Sequence, residues 1–418
     1  MTQNNSLIKI LTHTLERYSQ NEQKRYECFN LENHCSNSLD FTDFDIDEFF
    51  GMGEESNPLM MLIWILPIII FVFYGQRIQL IISANEIKKD ISKLEEFKNE
   101  SRQRLISYIR NKLKPIDDPV KKVDSFLEYF TVLPVDLDPN GIIPKINHLV
   151  HSREDFTRMQ VRSMFDEISD FEVTKVQNLL EIVTSLQMFH KVTRHLYLTA
   201  KKQKNFPLIL PLQMMIPFIM EEARALKDAV ESLRDGQPIG DGIGPMIVGE
   251  MMLNTSKQNA AFETVWSETE FDHRKLILVK AEGPNATVGR PGEAIENIIP
   301  QVKPNLIIMV DAALKLEGED SASIAKGFGA AIGGIGTERF KIEEVATKNN
   351  IPILAIVIKQ TIHEAITLMS EDIAKQASVV RKQIYDMIQE NSKSGEIVMI
   401  VGVGNTLGVA QLEILNES

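Results

Sequence analysis

The C-terminal part of this chain alternates short apolar runs with helix-like stretches, and that alternation leaves few folds open. KLILVKAEG from Lys275, NLIIMVDAA from Asn305, IPILAIVIK from Ile351 and GEIVMIVGVGN from Gly395 read as strands. AIENIIPQVKP, ERFKIEEVATKNN and the long TIHEAITLMSEDIAKQASVVRKQIYDMIQEN read as helices between them. Near-continuous apolar strands suit a parallel sheet covered on both faces, and strand–helix alternation builds one. The expected class is α/β. In such sheets ligands gather outside the carboxyl ends of the strands, and Asp311 closes the second apolar run.

A chain of 418 residues has room for two or more domains. The net charge of −13 argues against a general nucleic-acid binder, which needs clustered Lys and Arg. Neither of the two cysteines, Cys28 and Cys35, lies near a histidine cluster with zinc-ligand spacing. They are either a disulfide or two free thiols.

SNPLMMLIWILPIIIFVFYGQ, Ser56 to Gln76, carries no charge. About 20 apolar residues span the hydrocarbon core of a bilayer as a helix, so a single transmembrane helix is expected over 56–76. The flank before it is acidic without Lys or Arg, whereas Arg77, Lys88, Lys89 and Lys93 follow it. Positive charge stays inside. The acidic tail, 1–55, is expected outside and poorly ordered, with the rest of the chain cytoplasmic. Leu80, Ala84, Ile87, Ile91 and Leu94 follow 4-3 spacing, which makes 77–114 a helical stalk with a tendency to dimerise. KPIDDP ends it. Residues 115–235 read as a helical domain, in which Val176, Leu179, Leu180, Val183 and Leu186 share a face. Phe206 to Met220, apolar but interrupted by prolines, reads as a buried packing helix, with a re-entrant membrane contact as the alternative.

The last domain, 236–418, opens with GQPIGDGIGPMIVGEMM, which places Asp241 on a glycine-rich turn just before a helix. Asp241 is half of a catalytic or metal-binding pair, or a helix N-cap. Asp311 is the other half, or a capped strand end. GFGAAIGGIGTER, Gly327 to Arg339, supplies glycines that let backbone N–H groups approach a ligand, here Gly333 and Gly334. It has no phosphate-loop pattern and lacks the strand–turn–helix setting of a dinucleotide fingerprint.

Four stretches occur in an order shared with one family: GDGIGPMIVGEMM, AEGPNATVGRPGEAIENIIPQVKPNLIIMVDAAL, GFGAAIGGIGTER and NNIPILAIVIKQTIHEA. Over roughly Gly236 to Met369 the chain resembles the spore germination proteases, aspartic peptidases of an unusual kind, and more distantly the hydrogenase maturation proteases. As a whole it resembles an uncharacterised archaeal family of membrane-anchored proteins. The resemblance implies a three-layer α/β/α phosphorylase/hydrolase-like fold and matches Asp241 and Asp311 to the two functional aspartates. In those families a strand ending in Gly-Leu-Gly-Asn or similar precedes the first aspartate loop. Here that place is helical, and EIVMIVGVGNTLG at the C-terminus has the missing character. A circular permutation is therefore expected, with Gly404 and Asn405 beside Asp241.

Two aspartates held close cannot both ionise cheaply, so one keeps a proton and the other can activate water. The expectation is a membrane-anchored, peptidase-like hydrolase acting on a peptide or protein substrate. Thr287, Arg290, Gly333, Gly334 and Asn405 are expected around the substrate. A catalytically inactive scaffold on the same fold is one alternative. A metal-dependent site, with His363 or His273 joining the aspartates, is the other, and the sequence does not name a cofactor. Glu317, Glu319 and Asp320 read as a solvated acidic turn.

Overall fold

A computed structural model describes residues 58–129, 141–203, 209–333 and 336–409, with side chains at 58–64, 70–74, 76–77 and 203 outside the description. The described residues divide into two compact units, one comprising 91–129, 141–193, 217–333 and 336–409, the other 58–90, 194–203 and 209–216. The expectation for the tail, 1–55, lies outside the described residues.

The first half is helical, as its periodicity predicts. Helix α1 runs Pro58–Tyr108 through Pro67, widens into a π-helical turn at Ile109–Leu113 and stops where Lys114 turns left-handed. It is followed by α2, Val120–Leu127, α3, Ile142–Arg162, α4, Asp170–Gln203, and α5, Ile209–Asp235. The 4-3 seam continues beyond Leu94 through Ser101, Leu105 and Tyr108, all buried inside a single chain. In the first unit Arg104 pairs with Glu231 of α5, and Lys227 of α5 sits 2.9 Å from Glu100. Among the described residues no helix is long and apolar enough to cross a membrane. The span expected at 56–76 falls largely on residues whose side chains are not described, and the described helices do not support it.

The second half is α/β. After a 3₁₀ turn at Gly240–Gly242 come α6, Ile243–Met251, then β1, Lys257–Ala261, β2, Thr264–Phe271, and β3, Arg274–Ala281. Helix α7, Pro291–Val302, leads to β4, Leu306–Leu314, and β5, Ile324–Phe328. Then follow α8, Thr337–Lys348, β6, Ile353–Gln360, α9, Ile362–Ile366, α10, Glu371–Asn391, and β7, Ile397–Gly402. The seven strands form one sheet in the order β1-β2-β3-β7-β4-β6-β5. Its centre, β3-β7-β4-β6, is parallel, while β1, β2 and β5 add antiparallel flanks.

Two cores lie on opposite faces of this sheet. Side chains of α6 and α10 pack on Leu276, Leu278, Ile308, Val310 and Ile400, while α7 and α8 pack on Ile277, Val279, Ile307, Met309 and Val401. That is the three-layer arrangement the alternation predicts.

Three readings are corrected. The β1–β2 pair and β5 were not legible, because neither carries an apolar run: β2 is TVWSETEF and β5 is IAKGF. The long helix after β6 is two helices. Thr361 and Glu364 form a capping box for α9, and Ser370 caps α10 afresh, accepting from the N–H of Ile373. The segment between bridges back to the aspartate turn through Leu368 and Ile239. Finally, α5 buries Ile209, Leu212 and Ile216 but exposes Leu210 and Met214, so its apolar start is only half packed.

Candidate active site

The sequence separates Asp241 from Asp311 by 70 positions, and the sheet brings them to one edge. β3, β7, β4 and β6 point the same way, so their carboxyl ends share one rim. Asp311 pairs in register with Val357 of β6 near that rim. Asp241 sits on the 3₁₀ turn leading into α6, whose N-terminus crosses the rim closely. A methyl group on Gly244 would stand 2.3 Å from the Val403 carbonyl oxygen and 2.5 Å from that of Val310. This close approach is the physical reason for a glycine-rich turn around Asp241, since larger residues would lift α6 off the strand ends.

Strand β7 lies between β3 and β4, in the middle of the sheet, and its exit loop meets the turn. The N–H of Asn405 donates to Oδ2 of Asp241 at 2.8 Å. A methyl group on Gly404, which has φ of +137°, would fall 1.9 Å from the Asp241 carbonyl oxygen. The placement of Gly404 and Asn405 beside Asp241 is as expected. Asp241 does not cap a helix through its side chain, because neither the 3₁₀ turn nor α6 has a side-chain cap. Its carboxylate holds the final loop.

Asp311 is 6% exposed. The Ala312 N–H donates to its Oδ1 at 2.8 Å, and the Gly333 N–H of the glycine-rich loop also reaches it. Burial pushes the Asp311 carboxyl well above the usual carboxylate range, and the nearby Asp241 carboxylate pushes it further, against the pull of the two N–H groups. Of the two carboxyl groups, Asp311 is therefore the one whose surroundings favour the protonated form.

The other expected residues fall into three groups. Asn405 is central: its N–H binds Asp241, its Nδ2 donates to Ala286 O at 3.2 Å, and its Oδ1 accepts from Leu407 N. Gly333 touches Asp311, whereas Gly334 lies outside the described residues. Thr287 lines the neighbouring loop, its carbonyl accepting from Thr406 N at 2.9 Å and its hydroxyl from Gly289 N. Arg290 is turned elsewhere, with its guanidinium over the Phe262 ring at 4.8 Å and 3.7 Å from Glu293.

Three further residues build the site without a signature of their own. Gln360, fully buried at the end of β6, donates through Nε2 to Gly240 O at 3.0 Å and fixes the turn. Thr406 places its hydroxyl 3.0 Å from the carbonyl oxygens of both Glu282 and Thr287. Asn178 of α4 donates to Ala286 O at 2.8 Å, the same acceptor that Asn405 uses. A polar residue after a buried strand was the only available signal, and it singles out Gln360 alone.

The histidines of the metal alternative do not join the aspartates. His363 lies 3.2 Å from Asp228 of α5, and His273 occupies the β2–β3 turn, at the amino end of β3 and thus the opposite rim. Among the described residues no group of three or more His, Cys, Asp or Glu is placed to hold a metal ion. Glu319 of the acidic turn pairs with Lys359 and accepts from Leu316 N.

Curated relatives match part of the chain. A germination protease of Clostridium perfringens strain SM101 is 25% identical over 170 residues, 38% of this chain and 50% of that protein. The germination protease of strain ATCC 13124 is 24% identical over the same extent. The chain spans about half the length of the curated relatives it matches. Residues 61–236 match the model of the N-terminal domain of a protein of unknown function, DUF1512, and 239–410 match that of the DUF1512 C-terminal domain. Carrying both domains in order along most of its length, the chain belongs to the DUF1512 family.

Proposed function

We propose that the chain is a peptidase-like hydrolase that works with Asp241 and Asp311, tethered to a membrane by the uncharged segment at 56–76 with its α/β domain in the cytoplasm. The observation that carries the hydrolytic reading is the placement of two carboxylates on one rim, with Asp311 buried where its protonated form is favoured. Asp311, as the acid, would polarise the scissile carbonyl or protonate the leaving amine. Asp241, held by the Asn405 N–H, would take a proton from the attacking water. The similarity to germination proteases supports this class of reaction, and the final strand's central position supports a circularly permuted version of their fold. The uncharged run and the basic residues after it support the tether and its orientation.

The test is hydrolysis of a complex peptide mixture by the full chain in detergent or vesicles, followed by mass spectrometry. Asp241→Asn and Asp311→Asn should each lower cleavage by about 100-fold or more, the usual size of an acid–base contribution. Folded wild-type protein that leaves every peptide intact would turn the reading to a scaffold. Ala330, Ala331 and Ile332 of the glycine-rich loop already suit that role, because they pack into the core.

A further inference from the structure

We propose that the stretch of α1 at Ile78 to Ile82, with the end of α4 and the start of α5, carries a second lipid-contacting surface, one that lies against an anionic bilayer beside the tether. The inference rests on the tether for its geometry, but its observations are separate. α1 shows Ile78, Ile81 and Ile82 to solvent, at 50%, 60% and 53% exposure and at i, i+3, i+4 spacing on one helical face. α5 shows Leu210 and Met214, four residues apart, with Met214 74% exposed. Soluble proteins scatter single apolar residues over their surface, whereas repeated apolar faces mark an interaction.

Charge says what the partner is. The chain has 58 acidic residues among 418 and a net charge of −13, yet 56–85 and 194–216 contain no Asp or Glu. The charged side chains in those stretches are Arg77, Arg194, Lys201, Lys202 and Lys204. Lys201 and Lys202 are exposed in the last turn of α4. An apolar face flanked by lysines, whose nearest carboxylate, Glu86, accepts from Gln213, fits the headgroup region of an anionic leaflet. A protein partner selected by apolar contact alone would not require the acidic residues to vanish from both segments.

The position agrees. Gln213 of α5 hydrogen-bonds Glu86 of α1 at an offset of 127 residues, the offset also seen between Arg104 and Glu231 on the same two helices. At that offset Leu210 stands level with the turn of α1 that holds Ile82, a few residues after the uncharged run ends. The start of α5 therefore lies at the height where α1 would leave the bilayer.

Fluorescent labelling of the full chain tests this. Met214→Cys, in a Cys28→Ser/Cys35→Ser background, takes an environment-sensitive dye, with Phe328→Cys on the exposed end of β5 as control. The protein is placed in phosphatidylglycerol vesicles containing spin-labelled lipid. Emission at 214 should shift to the blue and be quenched about twofold or more relative to 328, and Lys201→Gln with Lys202→Gln should reduce the quenching. A water-like, unquenched dye at 214 in vesicle-bound protein would overturn the surface. So would a blue shift that lipid does not quench and that unlabelled chain dilutes away, which would mean a second copy covers the face. Alkaline carbonate extraction judges the tether separately. Release of the chain while 214 remains quenched would remove the tether and leave the surface standing.

Discussion

Asp311 and Lys280 are both buried, both ionisable and almost level on the same sheet, yet they stand in opposite situations. Lys280 on β3 and Val310 on β4 both pair with Gly402 of β7, so Asp311 is one residue farther along. Asp311 faces the α7–α8 side and is served by two backbone N–H groups and a second carboxylate. Lys280, 1% exposed, lies under Gly249 of α6 and donates to the carbonyl of Ala281. Burial lowers its ammonium to about 8. The difference teaches that burial of a titratable group does not by itself mark a site. Convergence of loops from several strands does, and only the aspartate has it.

The largest effect should come from breaking that convergence. Gly404→Ala would set a methyl group against the Asp241 carbonyl at a backbone angle favouring glycine. A loss of about 3–5 kcal/mol is expected, visible as a lowered denaturation midpoint. A variant as stable as wild type would show that the final loop is not held against Asp241.

The next sharpens the contrast through pH. For Asp311 the folded chain holds a proton that the unfolded chain releases near 3.8, so its contribution declines as pH rises through the raised folded value. Asp311→Asn should remove that decline, and its stability relative to wild type should grow with pH. Lys280 has the opposite sign. Its folded pKa near 8 lies below the ordinary 10.5, so wild type gains stability as pH rises between them, by up to about 1.4 kcal/mol per pH unit. Lys280→Met should be about 1–3 kcal/mol more stable than wild type at pH 7, because it removes a buried charge. That advantage should shrink above pH 8. Urea denaturation across pH 5 to about 10 reads both slopes; parallel slopes for the two variants would contradict the assignment.

The smallest effect concerns the helical domain's hold on the site. Asn178→Ala removes one of the two donors on Ala286 O and should cost about 1 kcal/mol. Hydrogen exchange should then quicken at Asn405 and Thr406, the loop that binds Asp241. Exchange confined to α4 would show that Asn178 serves its own helix alone, through its bond to Thr174 O.

The sequence by itself determined the α/β class, the central strands and the two aspartates. Buried parallel strands must be uninterrupted runs, and a carboxylate at the end of one stands out. The resemblance to the germination proteases also placed the final strand near Asp241, because EIVMIVGVGNTLG has the character of the strand that precedes the first aspartate loop in that family. The sequence did not disclose β2, which carries no apolar run and buries two polar residues, Thr264 and Ser267, or β5, an edge strand exposed over Lys326 to Phe328. Nor did it disclose Gln360, Thr406 and Asn178, whose partners lie 120, 119 and 108 positions away. Those bonds depend on which loops the sheet order brings together. What the tertiary structure alone decided was that Asp311 is pushed toward its protonated form. That follows from the burial of Asp311 and its distance from another negative charge, and no local pattern encodes either.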